Sequence, residues 1–413
     1  MTSRTTSQNA LGRSGSLTRR LGRNQRPLIA NALMHLVNDG CFVAIYPILP
    51  LMAAEFHLNY AQVGLLKTAL STSSSAFQLP MALLAERWGE ITLLALGMAW
   101  VAAGLMVIGL AVSFAQVLIL MFGAGLGGSV QHPVASSFVS REYDGHGRAS
   151  ALGILNFAGD LGKFVVPLVF ALSLTVYGWR LSLCALGAVS FLFALAFWHL
   201  LRHKDHTRQS SVPSDHAAAA VKVKGWGIRR PKTFGVILTM GVLDGSVRSA
   251  LLTFVPFLLM DKGMTDVRAG LMLTIIFAGG AAGKLGCGFL ADKWGTAPMI
   301  VFTELCTGAF ILLLLPAESW SITPLLFCVG FFLNGTSSVL LDGVADLFDA
   351  TKRSRGYGLY FTIYLGASAL GPIIYGMVGD AWQLPAIFLA MAAASLAIVP
   401  LAGLYHLSRA TAG

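Results

Sequence analysis

His35-Leu36-Val37-Asn38-Asp39-Gly40, followed by Pro47 and Pro50, is the stretch on which the reading of this chain turns. It lies in an apolar run, 28–53, long enough to cross a bilayer as one helix. Asp39 falls about 11 residues into that run, which at about 1.5 Å per residue is near the midplane. A carboxylate at that depth costs a few kcal/mol, so it should face a protein interior or a water-filled cavity. His35, Asn38 and Asp39 stand at i, i+3 and i+4, on one helix face. The two prolines remove backbone donors and invite a bend. Two readings follow: a polar stripe that holds two helices together, or a substrate or proton site.

Working outward, the same kind of run recurs. Charged residues are only 12% of the chain and hydrophobic ones 55%, against about 25% charged in a soluble domain. The chain therefore reads as an all-α polytopic membrane protein. Twelve apolar runs lie near 28–53, 60–85, 91–113, 115–140, 149–174, 180–201, 233–260, 266–290, 297–316, 321–345, 356–380 and 385–407. They fall into a basic tail (1–27), a six-helix bundle (28–201), a linker (202–232), a second six-helix bundle (233–407) and a short tail (408–413). The first 27 residues hold six arginines and no acid, which makes them a tail and not a signal peptide.

The net charge of +10 does not point to nucleic acid, because its placement is that of a membrane protein. With the N-terminus inside, the inner segments carry 22 of the 29 Lys and Arg residues and the outer loops carry 3. This asymmetry predicts a bacterial-type inner membrane with both termini cytoplasmic. The five cysteines are scattered through apolar runs without zinc spacing, and read as small buried hydrophobes.

The two bundles match each other. Asp39-Gly40 corresponds to Asp244-Gly245, and Glu86-Arg87-Trp88-Gly89 to Asp292-Lys293-Trp294-Gly295. Arg148 matches Arg355, Pro167 matches Pro372, and Trp179-Arg180 has a looser counterpart in Trp382-Gln383. Parallel repeats of this kind put a substrate site at the midplane between the halves.

The chain resembles the major facilitator superfamily over nearly its whole length. The signature loop of that family is approximated twice, by Ala82–Glu90 and, more closely, by Gly288–Gly295; Glu90 stands where the family usually has Arg. The resemblance implies that Glu86, Arg87, Asp292, Lys293 and Arg355 latch one conformation. Further, His35-x-x-Asn38-Asp39, Pro47-x-x-Pro50, Tyr60-Ala-Gln62-x-Gly64 and His132-Pro133 are similar to the fosmidomycin-resistance branch, which is regarded as exporting antibiotics in exchange for protons.

Charges inside the runs mark the candidate site. Asp39, Asp160, Lys163, Asp244 and Arg248 fall near mid-depth, Lys67 in the outer half and Lys284 in the inner half. Runs 3, 6 and 12 carry no charge in their interiors, and run 9 has only Glu304, read as near its cytoplasmic end. Asp244 and Arg248 at i, i+4, and Asp160 and Lys163 at i, i+3, can neutralise one another as structural pairs, or release a cation to an acidic substrate. His132 is a ligand, a proton carrier or a packing residue. Proton coupling is expected of Asp39, Asp244 and His35. Substrate contact is expected of Asn38, His132, Asp160, Lys163, Arg248, Lys67 and Lys284.

No nucleophile–base pair, phosphate loop or metal set is visible, so no enzyme, metal or cofactor is expected; the proton gradient is the energy source. The expected function is a monomeric, proton-coupled secondary transporter of a small anionic solute, most simply an exporter. Two departures from the antiporter pattern favour uptake of an organic acid instead: run 4 lacks a buried Arg, and run 5 has Gly159-x-x-Gly162-Lys163. A third possibility is a non-transporting sensor or assembly factor.

Overall fold

The computed structural model describes residues 25–142, 148–202, 228–345, 347 and 353–410. The first half comprises α1 (Arg26–Val43), a 3-10 turn (Tyr46–Ile48), α2 (Leu49–Phe56), α3 (Tyr60–Ala76), α4 (Gln78–Trp88), α5 (Glu90–Ile108), α6 (Phe114–Gly128), α7 (Gln131–Glu142) and α8 (Arg148–Leu201). The second comprises α9 (Pro231–Asp261), α10 (Asp266–Trp294), α11 (Thr296–Leu314), α12 (Ser319–Ala345), α13 (Arg353–Ser368) and α14 (Gly371–Ala410). Among the described residues, nine helical stretches are long and apolar enough to cross a membrane.

Two of those nine, of 49 and 47 residues, are long enough to cross twice. The α8 helix is interrupted at Gly178 and α14 at Trp382 and Gln383, so each supplies two segments. The twelfth apolar run is α3 with α4, broken into pieces of 17 and 11 residues, each shorter than a bilayer needs. The sequence alone predicts this run and the α6–α7 run as continuous helices, and the structure divides both.

Proline marks four further helix ends. A proline at position i cannot donate to the carbonyl of i−4. The α1 helix ends at Val43, four residues before Pro47, and α3 at Ala76, four before Pro80. The C-cap of α6 is Ser129, four before Pro133, and α13 ends at Ser368, four before Pro372. All four breaks lie in helices that border the central cavity or the seam between the halves.

Backbone conformation repeats along with sequence. Gly89 and Gly295, 206 residues apart, have φ of 88° and 87°. Gly178 and Gln383, 205 apart, have φ of 65° and 69°. The ends of the helices are also clasped alike. Arg180 donates to the carbonyls of Gly109 (2.9 Å) and Ala111 (2.7 Å), while the Glu55 carboxylate accepts from Arg180 and from Trp179 (2.8 Å). In the other half Lys262 donates to the carbonyls of Leu315 (2.6 Å) and Ala317 (2.9 Å). A cation at a helix C-terminus satisfies carbonyls that the helix itself leaves open.

The halves meet along two seams, α3 against α14 and α8 against α10. The first is tight: a Cβ on Gly64 would lie 2.1 Å from the main-chain oxygen of Pro372. Beside it the Asp380 carboxylate accepts from the N–H groups of Tyr60 (2.7 Å) and Ala61 (3.0 Å) at the start of α3. The Tyr60 ring packs edge-on to Phe254 and Phe257 of the other half. The halves are thus pinned together at the end that carries the 57–59 turn.

Candidate functional site

Between the halves lies a cavity of about 290 Å³, bordered by α1, α3, α6, α7 and α8 on one side and α9, α10 and α12 on the other. Of the residues expected to contact substrate, all seven line it: Asn38, Lys67, His132, Asp160, Lys163, Arg248 and Lys284. Asp39 lines it as well. His35 and Asp244 are buried beside it.

The first half contributes a branched network. Gly162 on α8 lets α1 approach so closely that a Cβ there would meet the Leu36 carbonyl oxygen at 2.0 Å. This contact sets Asp39 against Lys163, whose ammonium lies 3.1 Å from Asp39 Oδ2 and 3.2 Å from Asp160 Oδ1. His35 Nε2 stands 3.4 Å from Asp39, His132 Nε2 3.9 Å, and Asn38 donates to Asp39 Oδ1 at 3.3 Å. The two imidazoles pack edge to face, 5.0 Å apart. The i, i+3 pairing of Asp160 with Lys163 is therefore present, but Asp160 also receives Lys284 from the other half at 2.8 Å and 2.9 Å. That cross-half link was not legible, because its partners are 124 residues apart in sequence.

The second half contributes a simpler pair. Arg248 donates to Asp244 Oδ2 at 2.6 Å, to the Leu333 carbonyl at 3.1 Å and to the Tyr364 hydroxyl at 3.3 Å. A guanidinium presents its donors in a fixed planar fork, so two of its nitrogens reach these three separated acceptors. Asp244 itself has no exposed surface.

Charge counting decides what the cavity suits. Four cations line it (Lys67, Lys163, Arg248 and Lys284) against two carboxylates (Asp39 and Asp160), with Asp244 behind Arg248. Lys163, Arg248 and Lys284 each have an acidic partner. Lys67 is only 5% exposed, and among the described residues no carboxylate lies within ion-pair distance of it. Its ammonium sits over the Tyr46 ring, 4.6 Å from the centroid, a contact that is worth about 1 kcal/mol and leaves the charge uncompensated.

A metal fits poorly. His35, Asp39 and His132 offer donor atoms within 4.8 Å of one another. The Lys163 ammonium already occupies the side of Asp39 that a cation would take.

The latch residues are less fully described. The side chains of Glu86, Asp292 and Arg355 lie outside the described residues. Arg87 and Lys293 are exposed, and Lys293 sits 4.7 Å from the Phe289 ring. Sequence reasoning also misplaced Glu304. It is the ninth residue of the nineteen in α11, at mid-helix and 1% exposed, and not near the helix end. Asp380 carried no sequence signal, since an acid at the end of an apolar run reads as an ordinary interface residue.

Comparisons with known proteins agree with this architecture. The sequence model of the Major Facilitator Superfamily matches residues 32–265 and, a second time, 237–412. The chain is 27% identical over 363 residues to the fosmidomycin resistance protein of Escherichia coli (strain K12), covering 85% of this chain and 86% of that one. It is also 27% identical over 352 residues to a probable L-galactonate transporter of the same organism, covering 79% and 76%. In structure it is similar to a bacterial homologue of the human lysosomal transporter Spinster in an inward-facing, unoccupied conformation, with a TM-score of 0.75, 19% identity, and 94% and 97% coverage. The nucleoside transporter NupG has a TM-score of 0.76 at 13% identity, with 94% and 99% coverage. With a duplicated bundle, a charged cavity between the halves and these matches, the chain belongs to the Major Facilitator Superfamily and most resembles its fosmidomycin-resistance branch.

Proposed function

We propose that this chain is a proton-coupled secondary transporter of a small organic anion, working by alternating access. The observation that carries the reading is Lys67, a buried cation on the cavity wall with no acidic partner among the described residues. An anionic solute supplies the missing charge. Two relatives are named for acids, a probable L-galactonate transporter and a sialic acid transporter of Escherichia coli. The positive-inside asymmetry supports cytoplasmic termini, and with them an outward position for the pinned end and an inward-facing conformation.

Asp39 is the proton site this arrangement favours. Once protonated, it releases Lys163, which then has only Asp160 as partner. A stronger Lys163–Asp160 contact weakens the hold of Asp160 on Lys284, the ion pair that spans the halves. Binding a proton thereby loosens one seam of the transporter. It also raises the positive charge of the cavity by one, so a proton and an anion favour each other's binding. That coupling supports uptake, with the proton and the solute entering together.

Export is the second reading, and the resemblance to the fosmidomycin resistance protein carries it. An anion leaving the cell is already driven by a negative-inside potential, by about 2.3 kcal/mol per charge per 100 mV. Export therefore needs no proton.

Proteoliposomes loaded with L-galactonate, sialic acid or fosmidomycin separate these readings. Uptake predicts that external acid accelerates entry, and that Asp39→Asn abolishes this acceleration while leaving counterflow exchange intact. Flux that ignores the pH gradient and follows the membrane potential alone would establish export without protons. Absence of any flux, in a protein that inserts and folds, would leave the non-transporting reading.

A further inference from the structure

Glu304 belongs neither to the cavity wall nor to any motif, yet it is as deeply buried as any side chain of the site. It stands midway along α11, where it meets α12 and α14. Among the described residues no Lys, Arg or His nitrogen lies within ion-pair distance of its carboxyl, and Oε1 is buried without a hydrogen-bond partner. An ionised carboxylate in that position would cost several kcal/mol.

The hydroxyls around it are few and mostly engaged elsewhere. Ser395 on α14 lies within hydrogen-bond distance of two oxygens of Glu304, the main-chain carbonyl (3.2 Å) and the carboxyl Oε2. A serine has one proton to donate. If it goes to the carbonyl, the carboxyl contact needs a proton of its own. Thr303 gives its proton to the carbonyls of Met299 and Ile300, at 2.9 Å and 3.1 Å. Thr336 gives its own to Thr303 or to the Phe332 carbonyl, at 2.8 Å and 3.1 Å. Ser395 can thus offer its one proton to Oε2, while Oε1 stays buried without a donor among the described residues.

The charged groups that act on Glu304 from neighbouring elements are Asp244 and Arg248 on α9. Packed against α11, α12 and α14 present the Thr336 and Ser395 hydroxyls, and Lys284 of α10 is turned to Asp160. Two buried acids therefore share the field of one guanidinium. Arg248 is bonded to Asp244 and leaves Glu304 without a counter-charge.

We infer that Glu304 is a second proton-binding site, a neutral carboxylic acid in this conformation whose occupancy is set by the Asp244–Arg248 pair. The assignment rests on the proton-coupled reading above for its use in transport, but its geometry stands apart from that reading.

Infrared difference spectroscopy of the full chain in lipid tests it without a known solute. At neutral pH the wild type should show a protonated-carboxyl C=O band that Glu304→Gln removes. Asp244→Asn, which leaves Glu304 as the only acid facing Arg248, should weaken that band severalfold. No band difference in Glu304→Gln overturns the site, and a band of the same intensity in Asp244→Asn overturns its coupling to Arg248. If Glu304→Gln fails to insert, Ser395→Ala removes the neighbouring hydroxyl instead and should shift the band frequency; an unmoved frequency counts against the assignment. Wild-type flux that ignores a pH gradient would remove proton-driven transport while leaving the band, so the two failures are distinguishable.

Discussion

Asp39 and Asp244 occupy the same position in the two repeats, yet their surroundings differ in kind. Among the described residues Asp39 has four polar neighbours: two imidazoles, an amide and a lysine that it shares with another acid. Asp244 has one partner, a guanidinium held in turn by a tyrosine and a main-chain oxygen. Duplication has kept the scaffold, down to the left-handed residues at the turns, while the chemistry of each half has diverged. The branched network can change partners one at a time. The single pair can only be intact or broken.

That contrast predicts the largest effect. Asp244→Asn removes the carboxylate bonded to Arg248 and leaves that cation only the more distant Glu304, and breaking such a pair costs roughly 3–5 kcal/mol. Asp39→Asn leaves Lys163 with Asp160, so it should cost clearly less than Asp244→Asn. Thermal unfolding of both variants in the same detergent measures the gap. Equal destabilisation would mean that the network around Asp39 is as rigid as the pair around Asp244.

The seams between the halves offer a second comparison. Along α3 and α14 the backbones touch, and a side chain at Gly64 has no space beside Pro372. Gly64→Val should hold that end apart, raising labelling of cysteines placed beside Tyr60 and stopping counterflow. The α8–α10 seam instead closes through Asp160 and Lys284, whose long side chains adapt. Unchanged labelling in Gly64→Val would show that the close approach is incidental to closure.

Asp380→Asn is the mildest test of the same seam. It keeps an oxygen for one of the N–H groups of Tyr60 and Ala61 but loses the charge at a helix N-terminus, worth about 1 kcal/mol or less. Labelling at the Tyr60 end should rise a few-fold. No change would assign closure to the aromatic contacts alone.

Much of this was legible in the sequence for physical reasons. Apolar runs must be helical in a bilayer, Pro47 and Pro50 invite a bend in the first of them, and charges near mid-depth must turn inward. The Asp244–Arg248 and Asp160–Lys163 pairs followed from helical spacing. What spacing could not show was contact between helices. Lys284 reaches Asp160 across the cavity, and Glu304 meets Ser395, 91 residues away, through packing that no local pattern records. The isolation of Lys67 was equally hidden, since the lack of a partner is a property of the assembled bundle.

The anion-binding cavity rests on that isolation, and affinity at Lys67 tests it most directly. Lys67→Met keeps the length of the side chain and its packing on Tyr46 while removing the charge. Equilibrium binding of a transported acid and of its uncharged amide should be compared in the two proteins. The acid should bind at least tenfold more weakly to the variant, about 1.4 kcal/mol, while the amide is unaffected. Equal affinity of the acid for both proteins would contradict an anion site built around Lys67.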